Sequence, residues 1–184
     1  GTRIQAKTPG ELISTDVCGP FPVSFRGKMH LVVDKDQFTK FRYGYFIANK
    51  SDVKDTLRNM IAHTTRLGHK IKELLSDNGG EFNNKDVKDI LQFNGITQRL
   101  TAPYTPEQNG GSERENRTIV EMARTLKYSN SDIEFPNALW AEFINSAIYI
   151  LNRTGKSSLK DFSPYEFWMC KKPRINHLKT IGST

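Results

Sequence analysis

Three acidic residues stand where their carboxylates could do chemistry together. Asp16 and Asp77 each follow a short apolar segment and precede a glycine-containing turn, and Glu113 opens a helical pattern after 35 intervening residues, 78–112. Open α/β sheets form their sites where strands end. Carboxylate oxygens suit Mg²⁺, and two such ions about 3.5–4 Å apart can drive an in-line phosphoryl displacement. Asp16, Asp77 and Glu113 are therefore candidate catalytic and metal-binding residues.

Each of these positions also has a purely structural explanation. Aspartate before glycine is common in turns, and a glutamate in the first turn of a helix is favoured by the helix dipole. Arg117 and Arg124 lie within about 40° of Glu113 on a helical wheel, and guanidinium groups pair well with phosphates. A solvated face with local pairs such as Arg117 with Glu121 explains the same pattern. Both interpretations stay open on these residues alone.

The elements that must position the acids form a mixed α/β pattern. Apolar and β-branched runs predict strands at 12–18, 29–33, 42–48, 71–76 and 96–100, the first three as an antiparallel meander. Helical spacing predicts helices from Ser51 to about Gly68, from Lys85 to about Gly95, and over 112–128 and 136–152. Residues 101–111, with two prolines and two glycines, are predicted as a loop. Helices can then cover both faces of the sheet.

Composition narrows the class of protein. A length of 184 residues allows one domain, and 36% hydrophobic with 26% charged residues is typical of a globular chain. The net charge of +7 favours an anionic partner, with nucleic acid the leading candidate. No segment approaches the ~18 apolar residues of a membrane-spanning helix, so we expect no membrane partner. Cys18 and Cys170 lack zinc spacing, and no signal peptide is visible, which predicts an intracellular protein.

Several segments together resemble a known enzyme family. They are 14–20 (STDVCGP), 76–82 (SDNGGEF) and 103–114 (PYTPEQNGGSER), supported by 33–39 (VDKDQFT), 116–118 (NRT), 163–168 (SPYEFW) and 171–173 (KKP). In these segments the chain resembles the integrase catalytic core of LTR retrotransposons of the copia type, a member of the retroviral-type DDE integrase superfamily. The resemblance runs from about Glu11 to Gly182. It departs from the family at 111–112, where Gly-Ser replaces a frequent Val-Ala or Val-Ser pair.

The resemblance implies a fold, an activity and partners. The fold would be ribonuclease H-like, with a mixed five-stranded sheet of three antiparallel and then parallel strands flanked by helices. Residues 1–10 would be a linker or cloning-derived, 11–155 the catalytic core, and 156–184 its C-terminal extension. Asp16, Asp77 and Glu113 would hold two Mg²⁺ or Mn²⁺ ions. The enzyme would trim the 3′ ends of retrotransposon DNA, join them to target DNA as a homo-oligomer, and meet its target in the nucleus.

Other residues carry weaker predictions. We expect Gln108, Asn109, Arg117 and Arg124 to contact DNA, although Gln108 and Asn109 also suit a turn. Asp36, and Asp34 similarly, are predicted as turn residues after the second strand. We expect Trp140 and Trp168 to be core or interface anchors. Two other functions remain open: an inactive, domesticated module for DNA binding and multimerisation, and a nuclease of the same fold that cuts RNA–DNA hybrids.

Overall fold

A single five-stranded sheet organises the computed structural model, which describes residues 5–101 and 106–178, with the side chains of all of these except 106–110. The strands are β1 (Leu12–Cys18), β2 (His30–Asp36), β3 (Arg42–Ile47), β4 (Glu73–Ser76) and β5 (Thr97–Leu100), in the spatial order β3-β2-β1-β4-β5. β1, β2 and β3 are antiparallel, whereas β4 runs parallel to β1 and β5 parallel to β4. The predicted mixed sheet is confirmed.

Helices cover both faces of this sheet. They are α1 (Val53–Arg66), α2 (Lys85–Phe93), α3 (Pro106–Lys127), α4 (Trp140–Thr154) and α5 (Pro164–Met169). One buried cluster joins α1, α2 and Trp168 of α5 to the face that carries Ile13 and Leu74. A second cluster joins α3 and α4 to the opposite face, which carries Leu31 and Val33. The apolar residues that recur at helical spacing on α3 and α4, among them Ile119, Ala123, Phe143 and Ala147, lie in this second cluster.

The structure corrects the predicted starts of two helices and adds a helix that was not predicted. The loop expected over 101–111 ends earlier, because α3 already begins at Pro106, whose fixed φ suits the first position of a helix. Helix α1 begins at Val53 rather than at Ser51, because a short 3₁₀ turn over Lys50–Asp52 precedes it. Asn49 caps this turn and forms a capping box with Asp52. Helix α5 was not predicted, because six residues are too few to show a period.

Both tryptophans act as anchors, as predicted. Trp168 is buried, stacks against Phe41 and donates a hydrogen bond from its indole N–H to the hydroxyl of Tyr43, 3.0 Å away. Trp140 stacks on Phe21 and donates to the carbonyl of Pro22, 2.6 Å away. These contacts fasten α5 and α4 to opposite faces of the meander.

The two acids of β2 behave differently from each other. Asp36 ends the strand and accepts hydrogen bonds from the backbone N–H groups of Gly10 and Thr39, which confirms its predicted turn role. The same prediction for Asp34 is wrong. Asp34 lies within β2, opposite Thr15 of β1 and Tyr43 of β3, and only 2% of it is exposed. The strand continues through it because β2 is hydrogen-bonded on both sides.

No helix in the described ranges has both the length and the apolar character needed to cross a membrane.

Candidate active site at the ends of β1 and β4

The register of the sheet sets Asp16 and Asp77 side by side. β1 and β4 are parallel and pair Leu12 with Glu73 and Ser14 with Leu75. The same offset carried two residues further places Asp77 beside Asp16. Asp16 also pairs with Val33, a residue of the cluster beneath α3 and α4, so its side chain lies on the α3 face of the sheet. The two aspartates therefore meet at one edge, beneath α3.

Asp16 is partly buried and held by two hydrogen bonds. Its Oδ1 accepts from the backbone N–H of Val17 at 2.9 Å, and its Oδ2 accepts from the side-chain amide of Asn116 at 2.7 Å. Burial raises the pKa of Asp16 above its ordinary value, and the negative charges of Asp77 and Glu81 raise it further, while the two hydrogen bonds oppose the rise. The carboxylate thus sits in a field of like charge.

Asp77 is exposed and begins a tight polar turn. Its Oδ1 accepts from the backbone N–H of Gly79 at 3.0 Å. The turn is closed by the backbone N–H of Phe82, which donates to the carbonyl of Gly79, and the buried ring of Phe82 anchors it in the core. One oxygen of Asp77 is therefore oriented by the backbone, and within residues 5–101 and 106–178 no hydrogen bond to the other oxygen is found.

Glu113 borders the same cleft but points elsewhere. Asp16, Asp77, Glu113 and Asn116 are among the residues that line a cleft of about 380 Å³. The Glu113 side chain is 75% exposed, and its Oε1 lies 3.6 Å from Nη2 of Arg117, one turn along α3. Among the described residues, no group of three or more acidic, histidine or cysteine side chains is placed to hold a metal ion. The structure brings all three predicted acids to one cleft, with Glu113 turned towards Arg117.

Of the four predicted DNA contacts, the structure describes the side chains of the two arginines. Arg117 and Arg124 are exposed on α3, and Arg117 pairs with Glu113. Neither arginine lines the cleft formed by the described residues. The side chains of Gln108 and Asn109 lie outside the described part of the chain.

Two polar residues at the site were missed by the sequence analysis. Asn116 holds Asp16, as described above, and it could have been noticed because it follows Glu113 by three positions on one helix face. Glu81 lies in the turn after Asp77, with its Oε1 3.1 Å from Nζ of Lys50. Burial alone would raise the pKa of Glu81, but hydrogen bonds from its own backbone and from Lys50 hold this pKa below its ordinary value. Its presence in the 76–82 segment was the available signal.

The donor set suits a hard divalent cation. Asp16 and Asp77 supply carboxylate oxygens from rigid strand ends, and each acid is oriented by a backbone N–H. Such cations prefer a few oxygen ligands and keep positions for water or phosphate. Burial is the main cause of the raised pKa of Asp16, and a cation between the two aspartates would relieve the like-charge repulsion that adds to it. The residues present therefore fit an ion at this edge.

The chain is similar to known integrases in sequence. A family model described as the integrase core domain matches residues 6–106. The chain is 33% identical over 174 residues to the Retrovirus-related Pol polyprotein from transposon TNT 1-94 of Nicotiana tabacum and 34% identical over 184 residues to that from transposon RE2 of Arabidopsis thaliana. These alignments cover 94% and 98% of this chain but only 13% and 12% of the two relatives. The chain thus spans about an eighth of their length.

The fold is similar to solved integrase structures. The whole chain aligns with 63% of a chain in the simian T-cell lymphotropic virus intasome in complex with PP2A regulatory subunit B56 gamma, with a TM-score of 0.72 and 16% identity. Of this chain, 87% aligns with 97% of the HTLV-2 integrase catalytic core domain in complex with magnesium, with a TM-score of 0.63 and 16% identity. These likenesses confirm the ribonuclease H-like fold. The family match and the curated relatives confirm the resemblance to copia-type integrase cores, and the chain belongs to the integrase core domain family.

Proposed function

We propose that this chain is the catalytic core of a retrotransposon integrase, a DDE polynucleotidyl transferase with Asp16, Asp77 and Glu113 as its catalytic, metal-binding acids. The observation that carries the proposal is the register that sets Asp16 beside Asp77 in a cleft that Glu113 also borders. Membership of the integrase core family supports it. A rotation of the Glu113 side chain away from Arg117 towards the cleft would complete the set, and its 75% exposure leaves room for that rotation.

The chain's own residues would prepare the cleft for DNA. Asp16 and Asp77 present oxygens from two parallel strand ends, and Asn116 fixes the orientation of Asp16. When bound, two Mg²⁺ or Mn²⁺ ions would activate the attacking oxygen and stabilise the leaving one. Water would first attack a phosphodiester near the DNA end and leave a 3′ hydroxyl. That hydroxyl would then attack a target phosphodiester, forming one P–O bond as another breaks.

We propose retrotransposon DNA ends and target DNA as the partners, with action in the nucleus. The net charge of +7 suits a polyanion. A homo-oligomer is proposed as the working form, because joining two DNA ends needs two active sites. One similar structure is an intasome and two others are described as the trimeric and dimeric forms of an integrase core, which supports this proposal.

The proposal is tested on a branched oligonucleotide that mimics the joined product. We expect the purified chain to resolve this substrate by strand joining in Mn²⁺ or Mg²⁺ and to do nothing in EDTA. Salt-sensitive DNA binding without turnover in either metal would overturn the proposal in favour of an inactive DNA-binding module. If the chain hydrolyses an RNA–DNA hybrid faster than it joins DNA strands, the result would favour a nuclease of the same fold.

Gly79 offers a test of the turn that orients Asp77. A Cβ at this position would lie 2.7 Å from Oε2 of Glu81 and 3.0 Å from Oδ1 of Asp77, so Gly79→Ala must displace the Glu81 carboxylate and shift that of Asp77 by a few tenths of an ångström. Since a misplacement of about 1 Å can cost ~100-fold, we expect this smaller shift to reduce strand joining roughly 3- to 10-fold with little change in melting temperature. Gly80→Ala is the matched control, because its Cβ would meet nothing within 4 Å. Equal activity of the two variants would contradict the prediction.

A further inference from the structure

Residues 111–118 of α3 are attached to the sheet by polar rather than apolar contacts. From Gly111 to Thr118 the segment holds only glycine and polar residues, and the first fully buried side chain after Gly111 is Ile119. Yet this stretch carries Glu113 and Asn116, whose places at the cleft depend on the orientation of the helix. Within residues 111–118, polar contacts must therefore fix the helix against the sheet.

Glu115 supplies such an attachment by bridging two strands. Its Oε2 lies 2.5 Å from Nζ of Lys35 on β2, and its Oε1 accepts a hydrogen bond from Nε of Arg42 on β3. All three side chains are at most 19% exposed. Lys35 and Arg42 lie opposite each other in the β2–β3 register, so one carboxylate spans both strands. Two contacts on different strands restrict both the rotation and the tilt of a helix.

The bridge lies next to the cleft. In the sheet, Lys35 pairs with Ser14, which precedes Asp16 by two residues on the same face. Glu115 therefore binds the row formed by Ser14, Lys35 and Arg42 across β1, β2 and β3, through Lys35 and Arg42. Asn116, the next residue of α3, donates a hydrogen bond to Asp16 itself. A small cavity between the row and the helix is lined by Lys35, Asp16, Glu115 and Asn116, among others.

The far side of the bridge is also rigid. The backbone N–H of Arg42 donates to Oδ1 of Asn152 at 2.9 Å, and the carbonyl of Arg42 accepts from the Asn152 amide at 2.8 Å. Asn152 is buried in α4. Arg42 is thus a fixed point to which α3 is tied, and loss of Glu115 would leave two neighbouring, mostly buried cations without the acid between them.

We propose that Glu115 is a positioning residue of the active site: its bridge to Lys35 and Arg42 holds α3 in the orientation in which Asn116 binds Asp16 and Glu113 borders the cleft. The inference rests on the proposed function, since it assigns Glu115 a role in that site. Glu115 acts through its neighbours on the helix and touches no reacting group.

The test compares Glu115→Gln with Glu73→Gln. The control also loses the charge of a partly buried acid, here one paired with Arg99 across β4 and β5, at the end of β4 away from Asp77. Two quantities are measured for each: the Mn²⁺ concentration that half-saturates strand joining, and the rise in melting temperature that Mn²⁺ causes without DNA. Because groups that orient metal ligands are worth about 10–100-fold in metal affinity or activity, we expect Glu115→Gln to raise the half-saturating concentration ~10-fold and to reduce the Mn²⁺-induced rise. Glu73→Gln should keep both at the wild-type values.

Each outcome decides for or against the positioning role. If Glu115→Gln only lowers the metal-free melting temperature and keeps the wild-type Mn²⁺ response, its role is structural and the inference is wrong. If that variant does not fold, Lys35→Met, which leaves the pair with Arg42, is expected to show the same Mn²⁺ effects in smaller measure, and a wild-type response would overturn the inference. A wild-type protein with neither Mn²⁺ response nor joining would overturn the proposed function, and the inference with it.

Discussion

Asp77→Asn is expected to abolish metal-dependent strand joining while the fold stays intact. The variant keeps an oxygen that can accept the hydrogen bond from the Gly79 N–H, so the turn after β4 should persist. It loses the negative charge that a divalent cation needs at the edge of the sheet. Loss of a hydrogen-bond partner outside the coordination shell of a metal already reduces metal affinity or activity by about 10–100-fold. Removal of a direct ligand should therefore reduce joining by more than ~100-fold.

The same variant should also change how the melting temperature responds to metal. Burial raises the pKa of Asp16, and the charge of Asp77 beside it raises that pKa further, as expected for two acids that repel each other without a metal ion. Asp77→Asn should therefore melt at the wild-type temperature or slightly higher without metal, and should lose the rise that Mn²⁺ causes in the wild type. Asp89→Asn, an exposed aspartate on α2, is the control and should keep activity and the Mn²⁺ response. Full joining activity in Asp77→Asn would refute the assignment of this acid.

The sheet could be predicted because local sequence patterns indicate its strands. All five strands were located to within a few residues, since most of them are short runs of apolar and β-branched residues bounded by glycine, proline or polar residues. The start of α3 could not be located. Two prolines and Gly110-Gly111 indicate a loop by local preference, at a cost of about 1 kcal/mol per glycine in a helix, yet the helix extends back to Pro106. Packing of its later turns through Ile119 and Ala123 overrides that preference.

The positions of the site's acids at the ends of strands could be predicted from the sequence, but their side-chain contacts could not. Parallel strands bring their carboxyl ends to one edge, so the pairing of Asp16 with Asp77 follows from the order of the elements. The rotamer of Glu113, the hydrogen bond from Asn116 and the bridge of Glu115 depend on side-chain geometry across three elements. Residues that are 80 and 73 positions apart form that bridge, and no local pattern connects them.

The stability of the protein is expected to fall as the pH rises from 5 to 7, and Asp34→Asn should remove that part of the fall. Asp34 is buried in a central strand, and its Oδ2 has no hydrogen-bond partner among the described residues. Burial raises the pKa of Asp34 from 3.8 to about 7, although a hydrogen bond from Thr15 opposes the rise. Between these values the folded protein keeps a proton that the unfolded chain has released.

The direction of the effect follows from that difference in bound protons. Because the folded state binds more protons, the free energy of unfolding decreases with pH across this window, by about 1.4 kcal/mol per unit. Above about pH 7 the Asp34 contribution is constant, and the whole loss is on the order of 4 kcal/mol. The amide that Asp34→Asn introduces cannot ionise, so the variant should be more stable than the wild type at pH 8.

Urea unfolding at pH 5, 6, 7 and 8 measures this directly. The difference in free energy of unfolding between Asp34→Asn and the wild type should grow by about 1.4 kcal/mol per unit from pH 5 to 7 and then level off. Asp55→Asn, an exposed aspartate on α1 paired with Arg58, should follow the wild-type pH dependence. Other titrating groups cancel in the comparison, because they are common to all three proteins. Parallel curves for the wild type and Asp34→Asn would mean that Asp34 is ionised in the folded state, and that a partner for its second oxygen compensates the burial.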